Sequence, residues 1–175
     1  HSLHLETLAD LEIEFQAAFH LLFYTVSLLG KEDCNKATED EKAVLRILTP
    51  LLKLYTAKQA VSLVSEVLEG FGGAGYVEDT GLPKFLRDTQ VLSIWEGTTN
   101  ILSLDVLRSM EKEKTIEPFF KDLETRLESI KHEELQNATQ KVKVSINKIK
   151  KFLYEASKKE SDFVEASARS LAYSL

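Results

Sequence analysis

Residues 38–71 read TEDEKAVLRILTPLLKLYTAKQAVSLVSEVLEGF, and this stretch decides the fold class. Apolar side chains recur at steps of three and four from Val44 to Phe71, which is the period of an α-helix. Thr38 and Glu41 have the spacing of a capping box, in which each side chain satisfies a backbone N–H at the start of a helix. The sequence therefore predicts one long, well-capped helix here.

One proline interrupts this pattern, and glycine ends it. Pro50 removes a helical hydrogen bond and clashes with the preceding turn, so we expect either a kink or a restart with Thr49 as N-cap. The helix is expected to end at the glycines from Gly70 onward.

The same helical period continues on both sides of this stretch. Apolar residues from Leu8 to Leu29 predict a helix that Gly30 ends. Its richest apolar run, Ala17–Leu29, has the length of a buried core helix, and no stretch of about 18 apolar residues occurs, so no membrane span is predicted. Further helices are predicted at about 83–89, 98–110, 115–130, 133–156 and 161–175.

The composition agrees with a helical chain. Its 175 residues include seven Gly, three Pro and one Cys. So few turn formers argue against a β-sandwich, and a single Cys excludes an internal disulfide framework and any multi-cysteine metal site. We therefore predict an all-α fold, with an antiparallel helical bundle at 1–110 and a helical extension at 111–175 packed on or beside it.

Six of the seven glycines fall between Gly70 and Gly97. Residues 70–75 match the dinucleotide-binding pattern G-x-G-x-x-G, yet they follow a helix and lead into a turn. That pattern needs a preceding strand and a following helix whose N-terminus holds the pyrophosphate, so we reject this interpretation. Four glycines in six positions indicate instead a backbone that another chain or a ligand approaches closely.

Three short blocks carry a family resemblance. They read EGFGGAGY at 69–76, LPKFLRD at 82–88 and IWEGTTN at 94–100. In this order and at this spacing they resemble the C-terminal helical domain of the acyl-CoA dehydrogenases, most closely the AidB-related branch. The resemblance is close over 38–110, weak before it, and limited to that branch's extended tail at 111–175. It implies a C-terminal fragment, with a helical domain and a β domain ahead of it in the intact protein.

The resemblance implies a flavoprotein oxidoreductase of fatty acid metabolism. Family members carry out α,β-dehydrogenation of an acyl-CoA thioester with FAD, and the fragment alone is expected to be inactive. In the matching motif Glu96 is the catalytic base, its backbone N–H holds the thioester carbonyl, and Gly97 leaves room for the thioester. Two alternatives stay open: Glu96 only caps the helix that starts near Thr98, or the base lies on another helix, as in some branches.

The same resemblance implies the FAD contacts. Gly72 and Gly73 match a pair whose backbone approaches the FAD diphosphate of a neighbouring subunit, and Glu69 stands where the family usually has Gln. Thr98 matches an FAD-binding position, and Asn100 replaces another usual Gln. The glycines are thus expected to bracket one site. A shared cofactor implies a homodimer or homotetramer. An electron-transfer acceptor is expected as a further partner.

Other sites and partners are weaker candidates. The four histidines and Cys34 show no metal-ligand spacing, so no metal site is predicted. A net charge of −6 makes nucleic acid a poor candidate partner. The lysines at 141–151 are interpreted as the solvated face of an amphipathic helix. Arg87 and Asp88 are expected to form an ion pair that fixes the nearby loop.

Three classes of function remain open. The leading one is an FAD-dependent acyl-CoA dehydrogenase. The second is a non-catalytic flavoprotein, either one that binds fatty acyl-CoA as a sensor or scaffold or an AidB-like protein associated with DNA. The third is a plain helical oligomerisation module. The expected compartment is mitochondrial or cytoplasmic.

Overall fold

The computed structural model describes all 175 residues, and it contains helices and turns with no β-strand. The seven α-helices are α1 (Ser2–Asp33), α2 (Glu39–Gly70), α3 (Pro83–Leu92), α4 (Thr99–Glu113), α5 (Ile116–Ser129), α6 (Gln136–Ala156) and α7 (Ser161–Ser174). Short 3-10 turns lie at Gly72–Gly75, Glu78–Thr80 and Glu133–Leu135. The all-helical fold predicted from the sequence is confirmed.

Helix α2 is the central element, and α1, α3, α4 and α5 pack against it. Its start is the predicted capping box: the Thr38 hydroxyl accepts from the Glu41 N–H at 3.2 Å, and the Glu41 carboxylate accepts from the Thr38 N–H at 2.9 Å. On its core-facing side Ile47 is 0% exposed and Leu54 is 1% exposed. The core shared by the helices comprises Leu28, Val44, Leu45, Ile47, Leu48, Leu51, Leu54, Val106, Phe119, Phe120, Ile146 and Ala172.

Pro50 lies inside α2 without ending it, so the alternative of a restart at Thr49 is wrong. The Thr49 hydroxyl donates to the Leu45 carbonyl at 2.8 Å, within the helix rather than at a cap. An interior proline costs a helix about 3 kcal/mol. Pro50 is buried beside the apolar core, and packing there offsets this cost. The predicted end of the helix at Gly70 is confirmed.

Helix α4 packs between α2 and α7. Most of the residues that α4 and α7 bury are small, namely Ser103, Ser109, Ala168 and Ala172. Small side chains let the two helix backbones approach each other closely. The C-terminal residues thus pack onto the bundle through α7. The boundary predicted between residues 110 and 111 falls within the last turns of α4, and the division into two domains stays a prediction.

Helix α1 departs from the sequence prediction in two ways. It runs through Gly30 to Asp33, and the chain turns only at Asn35, whose φ is 55°. Asn tolerates this left-handed conformation better than most residues, so the helix end does not need the glycine. The apolar face of α1 is also mostly exposed rather than buried, with only Thr25 and Leu28 fully covered.

By length and composition, α1 alone among the helices passes as a membrane-spanning segment. Its most apolar 18-residue window has a mean hydropathy of 1.2, and 11% of that window is buried. One such helix is weak evidence, because mostly buried core helices and N-terminal signal sequences pass the same test of length and composition. The structure therefore gives no convincing membrane span.

Two polar clusters tie the helices together. Arg46 on α2 donates to Asp105 at 2.8 and 3.0 Å and to Glu113 at 3.0 Å, both on α4. The Tyr24 hydroxyl on α1 donates to Asp122 on α5 at 2.8 Å, and the Arg126 guanidinium lies 3.7 Å from the Tyr24 ring centroid. These contacts fix α4 and α1 relative to the rest of the bundle.

Candidate functional site

The loop between α3 and α4 contains the predicted base. After α3 ends at Leu92, the backbone passes through Glu96 with φ 54° and Gly97 with φ 112°. A left-handed conformation costs a non-glycine residue about 1–2 kcal/mol. Such strain persists only where the surrounding structure fixes it, and it is often found at functional sites. Glu96 is therefore held in place by contacts beyond its own backbone preference.

Lys53 on α2 supplies these contacts. Its side-chain nitrogen Nζ donates to the Trp95 carbonyl at 2.8 Å and to the Gly97 carbonyl at 2.6 Å. The two carbonyls flank Glu96 on either side. The sequence prediction missed Lys53. The available signal was a lysine that interrupts the apolar run from Leu51 to Tyr55.

Neither the side chain nor the backbone N–H of Glu96 has a hydrogen-bond partner in the chain. Its side chain is exposed and has no hydrogen-bond partner in the chain. The backbone N–H groups of Glu96, Gly97 and Thr98 also donate no hydrogen bond within the chain. The alternative in which Glu96 caps α4 is wrong, because Thr98 is the N-cap residue, although its hydroxyl makes no capping bond. The turn thus places an unpaired carboxylate next to unpaired backbone N–H groups.

The apolar neighbours of Glu96 do not cover it. Ile94 is 61% exposed and Trp95 is 58% exposed, so these apolar side chains are open to solvent in this chain rather than packed over Glu96. A carboxylate in water is too weak a base to take an α-proton from a thioester, and burial raises carboxyl pKa values. For catalysis, Glu96 would need to be covered by bound groups or by further protein.

The glycine-rich turn after α2 contains two different kinds of glycine. A β-carbon on Gly75 would lie 2.0 Å from the Leu68 carbonyl oxygen, so the fold itself requires glycine there. Gly72 has φ 56°, and a β-carbon on it would meet nothing within 4 Å. Gly73 has an ordinary φ and is equally open. The local fold does not explain Gly73, which fits a backbone that a ligand approaches.

The backbone of this turn suits a phosphate-bearing cofactor, whereas one neighbouring side chain does not. Gly72 and Gly73 donate no backbone hydrogen bond to residues outside their own 3-10 turn, so their N–H groups are available to an anion. Glu69 is exposed and has no ion-pair partner. Its carboxylate must turn away from a bound diphosphate, because like charges repel. The residues present therefore fit FAD, with Glu69 as the unfavourable neighbour.

The two regions lie far apart in one chain. Lys53 and Gly72 are separated by 19 positions along and just beyond α2, which corresponds to about 28 Å at the rise of an α-helix. The chain reverses after the glycine-rich turn, and α3 returns along α2 to bring Glu96 back beside Lys53. The two sets of glycines do not meet within a single chain, and the expectation that they bracket one site shared with a neighbouring subunit stays a prediction. A site built from both regions needs two copies or a long ligand.

Two further predicted residues acquire partners in the structure. Asn100 on α4 accepts a hydrogen bond of 3.4 Å from Arg169 on α7, so the C-terminal residues reach the start of α4. Arg87 does not pair with Asp88 as expected. It donates to Glu78 at 2.8 and 3.0 Å, while Asp88 pairs with Lys84 one turn away. The Arg87 contact holds α3 to the short turn at Glu78–Thr80.

The basic run at 141–151 lies on an amphipathic helix. Ile146 is buried in the shared core, and Ile149 packs against it. Lys150 is paired with Glu124 on α5 at 2.5 Å. No group of three or more His, Cys, Asp or Glu side chains is arranged to hold a metal ion.

Comparison with known proteins identifies the family. A family model described as "Acyl-CoA dehydrogenase, C-terminal domain" matches residues 1–111, and one described as "Acyl-CoA dehydrogenase 11 C-terminal domain-like" matches residues 114–175. Acyl-CoA dehydrogenase family member 11 of Caenorhabditis elegans is 47% identical over 158 residues, which is 89% of this chain and 26% of that protein. AidB of Escherichia coli is 39% identical over 103 residues, which is 59% of this chain and 18% of that protein.

A solved structure agrees. The crystal structure of Caenorhabditis elegans ACDH-11 in complex with C11-CoA superimposes with a TM-score of 0.92 at 44% identity, covering 97% of this chain and 30% of that chain. The chain thus spans 26% of the C. elegans sequence relative and 30% of the chain in the solved structure. The helices, the motif blocks and these matches together show that the chain belongs to the acyl-CoA dehydrogenase family, in its C-terminal helical domain.

Proposed function

We propose that the protein carrying this chain is an FAD-dependent dehydrogenase that introduces an α,β double bond into a fatty acyl-CoA thioester. Members of the acyl-CoA dehydrogenase family use FAD. The observation that carries the proposal is the strained turn at Glu96 and Gly97, held by Lys53, with the Glu96 carboxylate and N–H both unpaired. The C11-CoA complex of the C. elegans relative supports an acyl-CoA as ligand.

In the proposed reaction, Glu96 accepts the proton from the α-carbon. Its backbone N–H donates to the thioester carbonyl oxygen, where negative charge develops as the proton leaves. Gly97 presents no side chain, which leaves room for the thioester. The bound flavin supplies the acceptor for the hydride from the β-carbon. The electron pair of the broken α-C–H bond becomes the new double bond.

The proposed FAD contacts come from both regions. Thr98 and Asn100, at the start of α4, face the flavin of the same chain. Gly72 and Gly73 offer backbone N–H groups to the diphosphate of a cofactor held by a second copy. The distance of about 28 Å between the two regions along α2 supports this division. The active protein is therefore proposed to be a homodimer or homotetramer that passes its electrons to a separate acceptor.

A non-catalytic acyl-CoA-binding flavoprotein is the second candidate. It is favoured by the exposure of Glu96 in this chain, since an uncovered carboxylate is a poor base. In the basic run, Ile146 lies in the core and Lys150 pairs with Glu124, and no specific contact favours a DNA-associated role.

The two candidates differ in the flavin spectrum of the intact protein. We expect it to purify with oxidised flavin that bleaches under anaerobic conditions when saturated acyl-CoA thioesters of graded chain length are added. A flavin that is present but never bleaches with any chain length would favour the binding protein. Purification without flavin would contradict both candidates.

A further inference from the structure

Lys53 contacts the loop of the proposed active site, although no sequence motif pointed to it. We propose that Lys53 is a positioning residue, which aims the Glu96 carboxylate and the neighbouring N–H groups at the substrate by holding the two carbonyls that flank Glu96. This inference rests on the proposed function. It adds to that function a residue outside the three motif blocks.

The first support is the place of Lys53 in the fold. It lies on the central helix α2, between Leu51 at 7% exposure and Leu54 at 1% exposure. Its side chain therefore starts from a segment of α2 that is packed into the core. The Nζ group has three N–H donors, and two of them are used on the loop. No carboxylate forms a salt bridge with Lys53, so the loop carbonyls are its partners within this chain.

The second support is the geometry of the peptide groups. In a trans peptide the C=O and the following N–H point in opposite directions, and this chain has no cis peptide. Because the Trp95 carbonyl points toward Lys53, the N–H of Glu96 points away from it. The Gly97 carbonyl is held in the same manner, so the N–H of Thr98 also points away from Lys53. Lys53 thus turns two unpaired donors outward from α2.

The third support is the backbone strain at Glu96. A left-handed non-glycine residue relaxes unless its flanking peptide groups are fixed. Lys53 holds the peptide group before Glu96 through the Trp95 carbonyl and the peptide group after Gly97 through the Gly97 carbonyl, so the Glu96–Gly97 turn is held at both ends. Without Lys53, the carbonyl groups of Trp95 and Gly97 would bond to water. The turn would then have no hydrogen bond from α2 to hold its strained conformation.

Three variants of the flavin-loaded protein test the proposal by rapid mixing with a saturated acyl-CoA. Lys53→Met keeps the apolar stem and removes the donors. We expect its limiting rate of flavin bleaching to fall at least 10-fold, while the half-saturating acyl-CoA concentration and the flavin content stay within twofold. Lys53→Arg can still donate to both carbonyls and should recover to within threefold of the wild type. Lys58→Met removes an exposed α2 lysine without a partner and should match the wild type.

A second measurement does not depend on turnover. Amide hydrogen exchange should quicken at least 10-fold in Lys53→Met at Trp95 and Leu102, whose N–H groups close the turns on either side of Glu96. Exchange in the middle of α2 should not change. If the wild-type flavin never bleaches, the proposed function fails, and this exchange measurement still decides on Lys53. Unchanged bleaching and unchanged exchange in Lys53→Met would overturn the inference, as would a Lys53→Arg protein as slow as Lys53→Met.

Discussion

Gly97 lies against Leu102 so closely that a β-carbon at position 97 would be 3.0 Å from Cδ2 of Leu102. The φ of Gly97 is 112°, a region in which other residues are strained. Gly97→Ala should therefore lower the free energy of unfolding by about 1–3 kcal/mol. Denaturant unfolding of the chain, followed by circular dichroism, measures this change. The control is Gly30→Ala, in open space within α1, which should be neutral or stabilise by about 0.5–1 kcal/mol. Equal effects of the two substitutions would contradict the strained turn.

Gly75 and Gly73 provide a second matched pair. Gly75→Ala places a β-carbon 2.0 Å from the Leu68 carbonyl oxygen and should destabilise the chain strongly. Gly73→Ala meets no atom, so its free energy of unfolding should change by less than about 0.5 kcal/mol. In the intact protein, however, Gly73→Ala should lower the flavin content, because the added methyl group stands where the diphosphate approaches. A Gly73→Ala protein with full flavin content would remove this residue from the cofactor site.

The Arg46–Asp105 pair should couple α2 and α4 measurably. The contact is bidentate, at 2.8 and 3.0 Å, and about a third of each side chain is exposed. A double-mutant cycle with Arg46→Ala and Asp105→Ala should give a coupling of about 0.5–1 kcal/mol after allowance for solvent screening. The comparison is Lys121 with Asp40, a pair whose side chains are 72% and 55% exposed, for which we expect no measurable coupling. Equal coupling in both cycles would contradict this account.

The raised pKa of Tyr24 predicts that the chain loses stability at high pH. Burial, followed by the hydrogen bond to Asp122, raises the pKa of Tyr24 from 10.0 to about 12. The folded state therefore holds the phenolic proton more tightly than the unfolded state. This contribution is complete below pH 10 and is lost as the pH rises from 10 toward 12. Denaturant unfolding over this range should show a decline that is smaller in Tyr24→Phe. An identical decline in both proteins would place the cause elsewhere.

Much of the fold could be predicted because its signals are local. The capping box at Thr38 and Glu41 and the helix end at Gly70 depend on residues a few positions apart. Two local rules failed. Gly30 stays inside α1 because the chain turns only at Asn35. Pro50 stays inside α2 because buried side chains pack around it.

The site was predictable in part, for a related reason. Glu96 and Gly97 stand in a short motif, and the structure shows that their turn is unusual. Lys53 could not be assigned from the sequence, because its partners lie 42 and 44 positions away and are backbone carbonyls that carry no residue signature. The separation in space of Gly72 and Glu96 could not be predicted either, because the two residues are close in the sequence. It depends on α3 folding back along α2.

The central claim is that Glu96 takes the α-proton, and one substitution tests it directly. Glu96→Gln keeps the size and the backbone N–H of the residue but cannot accept the proton. The intact variant should retain its flavin, while anaerobic bleaching by a saturated acyl-CoA slows by about 100-fold or more. Glu66→Gln, which changes an exposed α2 carboxylate, should bleach like the wild type. Bleaching of the Glu96→Gln protein at the wild-type rate would contradict the assignment of Glu96 as the base.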